Sequence, residues 1–184
     1  MNNVIGIDYS VNCPAICHLT GIPGDRARWF VHYRKIDGNS YPDLGHEFEL
    51  TRSTTKDEIS RFVELANWAS GIIRAADPDL IIIEDYGFSA SGRMTQLAEN
   101  TGILKAKLHE NFPGLPVQLV APTAMKKFAT TKGNADKKMV WEAFIKVFPD
   151  YSNRQTLCHP KAKTVGSPMN DIADSYFLAK YGQH

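Results

Sequence analysis

Leu80-Ile81-Ile82-Ile83-Glu84 is the stretch of sequence that decides the fold. Its apolar residues follow one another without polar alternation, which is typical of a strand covered on both faces and paired in parallel. Val4-Ile5-Gly6-Ile7-Asp8 is a second β-prone run that likewise ends in a carboxylate. We therefore expect two central strands, each with an acidic residue at its end.

The opening third of the chain contains more β-rich sequence. Residues 15–19 and 28–36 are rich in β-branched and aromatic side chains, and residues 21–25 between them carry the turn signals Gly and Pro. We expect an antiparallel meander of three strands here. Residues 37–54 are polar and rich in Gly, Pro and Thr, so we expect a connector.

The rest of the chain alternates helical and β patterns. Thr55 and Glu58 form a capping box before an amphipathic stretch, and the sequence predicts a helix over 56–76. Further helices are predicted over 94–111, after Pro122, over 135–147 and over 170–181, with a fifth strand over 116–120 and a long loop over 149–168. The predicted fold class is α/β: one domain over 1–184 with a five-stranded mixed sheet, three antiparallel then two parallel strands, flanked by helices.

Composition narrows the classes of protein. With 184 residues, 43% hydrophobic and 22% charged, the chain resembles an ordinary globular domain. Its apolar runs are far shorter than a membrane span, and no secretory signal pattern opens the sequence. Three cysteines form an odd set, which favours free thiols in a reducing compartment, so we expect a cytoplasmic protein without a membrane partner.

Charge is unevenly distributed along the chain. Residues 1–120 carry 11 basic and 15 acidic side chains, whereas residues 121–184 carry 10 basic and 5 acidic ones. The net charge of +1 does not by itself indicate a nucleic-acid binder. The basic second part is where we expect contacts to phosphates.

Four carboxylates occupy the ends of predicted elements: Asp8, Glu84, Asp171 and Asp174. If the strand ends and the last helix face one another, the four acids could hold two divalent ions, the usual arrangement for phosphodiester cleavage. Ligation by oxygen alone favours Mg²⁺ or Mn²⁺ over zinc. Each acid also has an ordinary interpretation, as a helix cap for Asp171 and as a solvated strand end for Asp8 or Glu84.

The order and spacing of these segments resemble the RuvC-like Holliday junction resolvases of the RNase H-like nuclease superfamily. The resemblance covers most of the chain and is carried by residues 5–8, 78–84, 121–140 and 170–179. It implies that Asp8, Glu84, Asp171 and Asp174 are the catalytic and metal-binding residues, with two Mg²⁺ or Mn²⁺ ions per site and no small-molecule cofactor. It also implies that the neighbouring Asp85 is not used.

The resemblance further implies a partner and a reaction. The family forms homodimers, with the helix after the glutamate strand at the interface, and nicks two opposing strands of four-way DNA junctions. Residues 37–54 and 149–168 are longer than the family pattern leads us to expect. Such insertions are similar to those of a phage or viral member, whose substrates can extend to other branched DNA.

Basic residues supply candidates for DNA contact. Lys126, Lys132 and Lys137, with Lys127 and Lys138, cluster around the Gly133-Asn134 turn, where ammonium and backbone N–H groups suit a phosphate backbone. Lys126 and Lys137 also match positions that contact DNA in the family. The alternative is a solvated helix face.

The loop after Glu84 supplies two more candidates for DNA contact. The family places an aromatic residue near this point to stack on junction bases, and Phe88 is our choice over Tyr86, with a core aromatic as the alternative. Arg93 follows in the same loop and could meet a phosphate, as could Lys161 and Lys163 in the later loop.

Cysteine and histidine do not favour a zinc site. Cys13 and Cys17 flank a predicted strand start, and their spacing, with His18 and the distant pair Cys158-His159, does not match paired zinc knuckles. We expect Cys13 and Cys17 to be small buried hydrophobic residues.

Other functions remain open at the level of sequence. An RNase H-like enzyme acting on RNA–DNA hybrids or a transposase-type core would share the fold and the metal site. A non-catalytic binder of DNA structures would lack one or more acids, and all four are present. A domain of the actin and sugar-kinase superfamily also opens with a strand ending in Gly-x-Asp, but it needs two domains that 184 residues cannot hold.

Overall fold

The structure, a computed structural model, describes residues 2–21, 26–34, 41–85, 93–158 and 164–184, without the side chains of residues 93 and 157. The strands are β1 (Asn3–Asp8), β2 (Ala15–Thr20), β3 (Arg26–Tyr33), β4 (Phe48–Arg52), β5 (Leu80–Glu84) and β6 (Val117–Val120). The helices are α1 (Glu58–Ala76), α2 (Arg93–Asn111), α3 (Pro122–Thr130), α4 (Lys137–Val147), α5 (Arg154–Cys158) and α6 (Met169–Gly182), with a 3-10 turn over Pro149–Tyr151.

These strands form one mixed sheet in the order β4-β3-β2-β1-β5-β6. The predicted meander is confirmed, because β1, β2 and β3 pair antiparallel. Beyond β1 the pairing changes: β1 and β5 are parallel, and so are β5 and β6. The two acid-ending strands therefore lie side by side and point the same way.

Helices cover both faces of the sheet because β1 and β5 are apolar on both faces. Ile5, Ile7, Ile81 and Ile83 pack on one face against α1 and α2. Val4 and Ile82 face the other way, toward a core that contains α4 and α6. This double coverage explains why neither strand shows polar alternation.

Gly6 allows α6 to lie directly on the sheet. A side-chain methyl group at position 6 would collide with the backbone of Ser175 and Ala179, and one at Gly182 would reach Val4 Cγ1 at 2.9 Å. The end of α6 thus lies over the start of β1, and earlier residues of α6 lie progressively nearer Asp8. Since β1 and α6 run in opposite directions, the first turns of α6 face the carboxyl ends of β1 and β5.

The sheet has six strands, one more than predicted. The predicted connector over 37–54 contains β4, which pairs parallel to β3 with Phe48 opposite Trp29. This edge strand has five residues, and Glu49, Thr51 and Arg52 make it polar. Only Phe48 is buried, where its ring stacks on Trp29 at 4.9 Å between centroids. Short polar edge strands of this kind resemble loops in sequence.

Two other local predictions were wrong. The N-cap of α1 is Asp57, whose side chain accepts from Ser60 N at 2.9 Å, whereas the Thr55 hydroxyl donates to Glu64 instead of capping with Glu58. The region 149–168, predicted as a loop, contains the 3-10 turn and α5. Phe148 and Tyr151 pack against Trp29 there, so tertiary aromatic contacts stabilise a segment that lacks helical periodicity.

No helix within the described parts of the chain is long and apolar enough to cross a bilayer.

Candidate active site

Asp8 and Glu84 occupy equivalent positions at the ends of neighbouring parallel strands. Ile7 pairs with Ile83 in the register of β1 and β5, so each acid is the next residue after a paired position. Side chains at matched positions of parallel strands project from the same face of the sheet. The expectation that the two strand ends bring these carboxylates together is confirmed by this register.

Asp171 and Asp174 reach the same place from α6. Asp171 lies one helical turn before Ser175, the residue whose carbonyl faces Gly6, and Asp8 lies two residues beyond Gly6. One helical turn and two strand residues each span about 6 Å. Asp171 is buried and occupies the third position of α6, so it is not an exposed helix cap.

The closeness of the four acids shifts their pKa values. Burial raises the pKa of Asp8 well above its usual range, and the charges of Asp171, Glu84 and Asp174 raise it further. Burial also raises the pKa of Glu84 to about 7, with Asp171 adding to the shift. The pKa of Asp174 rises to about 8 through burial and the charges of Glu84 and Asp171. Such a cluster is unfavourable unless cations compensate it.

Two predicted lysines lie beside this cluster. Lys137, the first residue of α4, lowers the pKa of all four acids, and Lys126, in α3, lowers the pKa of Glu84 and Asp174. Lys126 is half-buried and Lys137 is exposed. Lys132 is exposed in the turn after α3 and is not among the charges that act most strongly on the described acids.

Donors that sequence did not single out surround Asp171. The Ser167 hydroxyl and the Cys13 thiol act on its carboxylate as hydrogen-bond donors, and Asn170 Nδ2 donates to its Oδ1. These donors and Lys137 partly offset burial, which raises the pKa of Asp171. Cys13 is buried as predicted, yet it has this polar contact, which composition and spacing could not reveal.

A buried arginine holds the turn that follows Asp8. Arg61, in α1, donates from Nε to the Val11 carbonyl at 3.0 Å and from Nη2 to the Asn12 carbonyl at 3.1 Å. Ser10 Oγ accepts from Cys13 N at 3.1 Å and tightens the same turn. Arg61 was not among the predicted site residues. The one sign of it in the sequence is that a charged residue occupies the buried stripe of an amphipathic helix.

Two cavities open at the acids. One, of about 200 Å³, is lined by Asp8, Glu84, Asp85 and Thr101. The other, of about 400 Å³, is lined by Asp171, Lys137 and Arg34. Ser10 and Leu97 line both cavities, so the two form one cleft along the carboxyl ends of the strands.

Several predicted DNA contacts fall outside the described residues. Phe88, and Tyr86 beside it, lie outside the described residues, as do Lys161 and Lys163. Arg93 is the first residue of α2, but its side chain is not described. The roles given to these residues stay predictions.

The chemistry of the four acids fits divalent cations. Asp171 Oδ2 is buried, and no described residue donates to it in hydrogen-bonding geometry, so one oxygen remains available to an ion. Within the described ranges, no three His, Cys, Asp or Glu side chains lie in an arrangement that could already hold a metal ion.

The fold is similar to one already known. The mixed sheet covered by helices on both faces superposes on Thermus thermophilus RuvC with a TM-score of 0.60 at 16% identity, covering 96% of this chain and 90% of that one.

Curated proteins named RuvC are also similar to this chain in part of their sequence. Over 90 residues the chain is 31% identical to the crossover junction endodeoxyribonuclease RuvC of Prochlorococcus marinus, and over 91 residues it is 32% identical to that of a Synechococcus species. Each alignment covers about half of this chain, 49% and 50% respectively, and 56% of the relative. The chain thus aligns with little more than half the length of these relatives. No family model matches it.

Solved structures extend the likeness to nearly the whole chain. Thermus thermophilus RuvC in complex with a Holliday junction substrate superposes with a TM-score of 0.62 at 16% identity, covering 97% of this chain and 91% of that one. The fowlpox virus resolvase in complex with substrate Holliday junction DNA gives 0.51 at 15% identity, with coverages of 98% and 95%. The resemblance to RuvC-like resolvases is confirmed by partial sequence similarity and by the fold.

Proposed function

We propose that this protein is a metal-dependent endonuclease that cuts branched DNA, with four-way junctions as its main substrate. The observation that carries the proposal is the convergence of two buried acids, Asp8 and Asp171, and two half-buried ones, Glu84 and Asp174, at the carboxyl ends of two parallel strands. The relatives in sequence are named crossover junction endodeoxyribonucleases, and two solved structures of similar fold hold Holliday junction DNA.

The four acids are proposed to hold two divalent ions, Mg²⁺ or Mn²⁺. Oxygen-only ligands support this choice of metal, and the raised pKa values of Glu84 and Asp174 reflect repulsion that such ions would relieve. When bound, the ions would supply activation of water and stabilisation of the leaving oxygen. The acids themselves fix where the cleaved phosphate lies, because they stand on rigid strands and on a helix packed against them.

Lys126 and Lys137 are proposed to bind phosphates on either side of the acids. Both ammonium groups act on the carboxylates, so a phosphate bound near them would lie next to the reacting centre. Lys132 is proposed to contribute at longer range from its exposed turn. Phe88 and Arg93 keep their proposed roles in stacking on bases and binding phosphate.

The proposed active form is a homodimer, since symmetric nicking of a junction needs two active sites at a fixed separation. Ile59 and Val63 support it, because these apolar side chains of α1 are 60% and 39% exposed and are free to be covered by a second copy. Gln96 of α2 donates to Glu58 at 2.6 Å, which joins the start of α1 to α2 at this surface. The three free cysteines support a reducing compartment such as the cytoplasm.

The test is a cleavage assay on synthetic four-way junctions, forks, linear duplexes and RNA–DNA hybrids, in Mg²⁺ and in EDTA. We expect paired nicks in the junction that require metal, and little cutting of linear duplex. Preferential cutting of the hybrid would instead identify a ribonuclease H-type enzyme. No cutting of any substrate by a folded protein in Mg²⁺ or Mn²⁺ would refute the proposal.

A further inference from the structure

We infer that Arg34 binds a DNA phosphate next to the cleaved one, in the larger of the two cavities at the acids. The inference rests on the proposed function and extends it to a subsite. The cavity of about 400 Å³ falls within the size range of pockets that enclose small ligands. It adjoins the smaller cavity, which Asp8 and Glu84 line.

The backbone places Arg34 at this cavity. Its N–H donates to the Asn12 carbonyl at 3.0 Å, which ties the end of β3 to the turn after Asp8. Its Nη2 donates to the Lys56 carbonyl at 3.3 Å, so the guanidinium lies over the entry to α1. The side chain remains exposed and lines the cavity.

The polar lining of the cavity suits a nucleotide. Lys137 lines the same cavity as Arg34, so the cavity has a second cationic side chain. Gln96 and Asn12 add amide groups, and Leu97 adds an apolar surface against which a base or sugar can pack. The described residues that line the cavity include two acids, Asp171 and Glu58, and Glu58 already accepts a hydrogen bond from Gln96.

Asp171 connects this cavity to the reacting centre. Its carboxylate lines the cavity, is 5% exposed and keeps the Oδ2 atom to which no described residue donates. Ser10 and Leu97 lie on both cavities. A strand whose cleaved phosphate meets the acids would therefore carry its next nucleotide into the cavity, where a guanidinium can bind phosphate with two parallel hydrogen bonds.

The experiment measures binding rather than cleavage. Affinity for a four-way junction is determined in EDTA while single phosphates near the branch point are replaced, one position at a time in both symmetric strands, by uncharged methylphosphonate. We expect one position at which neutralisation weakens binding to the wild-type protein by about tenfold, the size of one charge-assisted contact. In Arg34→Ala the same replacement should weaken junction binding less than twofold, because the cation that contacts this phosphate is absent.

Arg28→Ala is the matched control. Arg28 lies on β3, the strand that ends just before Arg34, is exposed, and lines a different groove, where it pairs with Glu49 at 3.4 Å. It should keep the full response to every replaced phosphate. Identical response profiles for Arg34→Ala, Arg28→Ala and wild type would overturn the inference. Absence of cleavage in Mg²⁺ would refute the proposed nuclease instead, and the binding measurement would still decide the role of Arg34.

Discussion

Gly6 of β1 and Ser175 of α6 face each other backbone to backbone, with no room between them for even a methyl group. A methyl group added to Gly6 would also lie 2.9 Å from Ala179 Cα. This contact sets the height of α6 above the sheet. It therefore also sets the position of Asp171, one turn earlier on α6, relative to Asp8, two residues later on β1.

Gly6→Ala is expected to destabilise the protein by about 3 kcal/mol or more, because overpacking against backbone atoms cannot be relieved by side-chain rotation. Any folded fraction should also bind metal more weakly, since α6 must move away from the strand ends. Chemical denaturation with and without Mn²⁺ measures both effects.

Gly71→Ala is the control for that substitution. Gly71 lies within α1, and nothing lies within 4 Å of the added methyl group. Alanine there should stabilise the protein by about 0.5–1 kcal/mol through helix propensity. Equal stability of Gly6→Ala and wild type would show that α6 does not rest on β1 in this way.

Asp8→Asn is expected to abolish strand cleavage while leaving affinity for junctions within a few-fold of wild type. It removes the charge of one proposed metal ligand and little surface that touches DNA. Several kcal/mol of transition-state stabilisation from the ions correspond to about a thousandfold or more in rate. Metal-free Asp8→Asn should melt at a higher temperature than wild type at pH 8, because one of four mutually repelling charges is gone.

The neighbouring acids provide the comparison. Glu84→Gln should lose activity as Asp8→Asn does, whereas Asp85→Asn should retain most of it. Asp85 follows the end of β5 and lines the smaller cavity. Because it carries the same charge one residue after Glu84, its substitution tests whether the position of the carboxylate matters as well as its charge. An inactive Asp85→Asn with an active Glu84→Gln would assign the ligand to the other carboxylate.

The metal-free protein is expected to lose stability as pH rises from about 5 to 8. The pKa values of Glu84 and Asp174 rise from 4.5 and 3.8 to about 7 and about 8 in the folded chain, so the folded state holds protons that the unfolded state has lost. The stability contributed by these protons is present below the unfolded pKa values and disappears as pH rises through the folded ones.

Mg²⁺ should reverse this loss, and more strongly at pH 8 than at pH 5.5, because bound metal requires the ionised acids. A concentration of 100 times the dissociation constant adds about 2.7 kcal/mol, or roughly 5–10 °C for a chain of this size. Thermal melts at both pH values, with and without Mg²⁺, measure the difference. Equal metal-induced shifts at the two pH values would contradict the four-acid site.

Sequence predicted the centre of this molecule better than its periphery. The runs ending in Asp8 and Glu84 are apolar on both faces, so local pattern and tertiary position agree there. β4 was missed because its pairing with β3 depends on Phe48 finding Trp29, a contact between distant parts of the chain. Asp8 and Glu84 were singled out because carboxylates that end buried strands are unusual, and Asp171 and Asp174 because they lie three residues apart at the start of the last helix and complete the family resemblance.

The contacts around the acids could not be predicted from the sequence, because they form between distant parts of the chain. Arg61 lies about fifty residues from the carbonyl groups that it holds, and Cys13 meets Asp171 only after α6 docks on the sheet. Neither contact has a local sequence pattern. Lys137 was predicted to bind DNA. It also lowers the pKa of all four acids, an effect that follows from its place at the start of α4.

A homodimer is expected in solution at micromolar concentration, with α2 at the interface. Gly102 lies on the exposed side of α2 with nothing within 4 Å, so Gly102→Glu should leave the monomer folded and drive dimers apart. Gly71→Glu makes the same change on α1 as a control. Sedimentation equilibrium that gives only the 20.6 kDa species for wild type, with and without junction DNA, would refute the dimer.

Lys126 and Lys137 are expected to bind DNA through charge, with little dependence on sequence, because ammonium groups that meet phosphates carry no base information. Lys126→Ala or Lys137→Ala should weaken junction binding about equally for every arm sequence. Each should also lower the slope of log affinity against log salt by roughly one unit. Titrations at several salt concentrations in EDTA measure both.

Lys146→Ala is the matched control, since Lys146 is exposed near the opposite end of the helix that Lys137 begins. Lys146 lies nine positions after Lys137, which corresponds to about 13.5 Å along the helix axis. Thermal melts must first show that all three variants are folded. If Lys126→Ala and Lys137→Ala then keep the wild-type salt slope, as Lys146→Ala should, the two lysines belong to a solvated surface, and the DNA path must be sought along residues 149–168 instead.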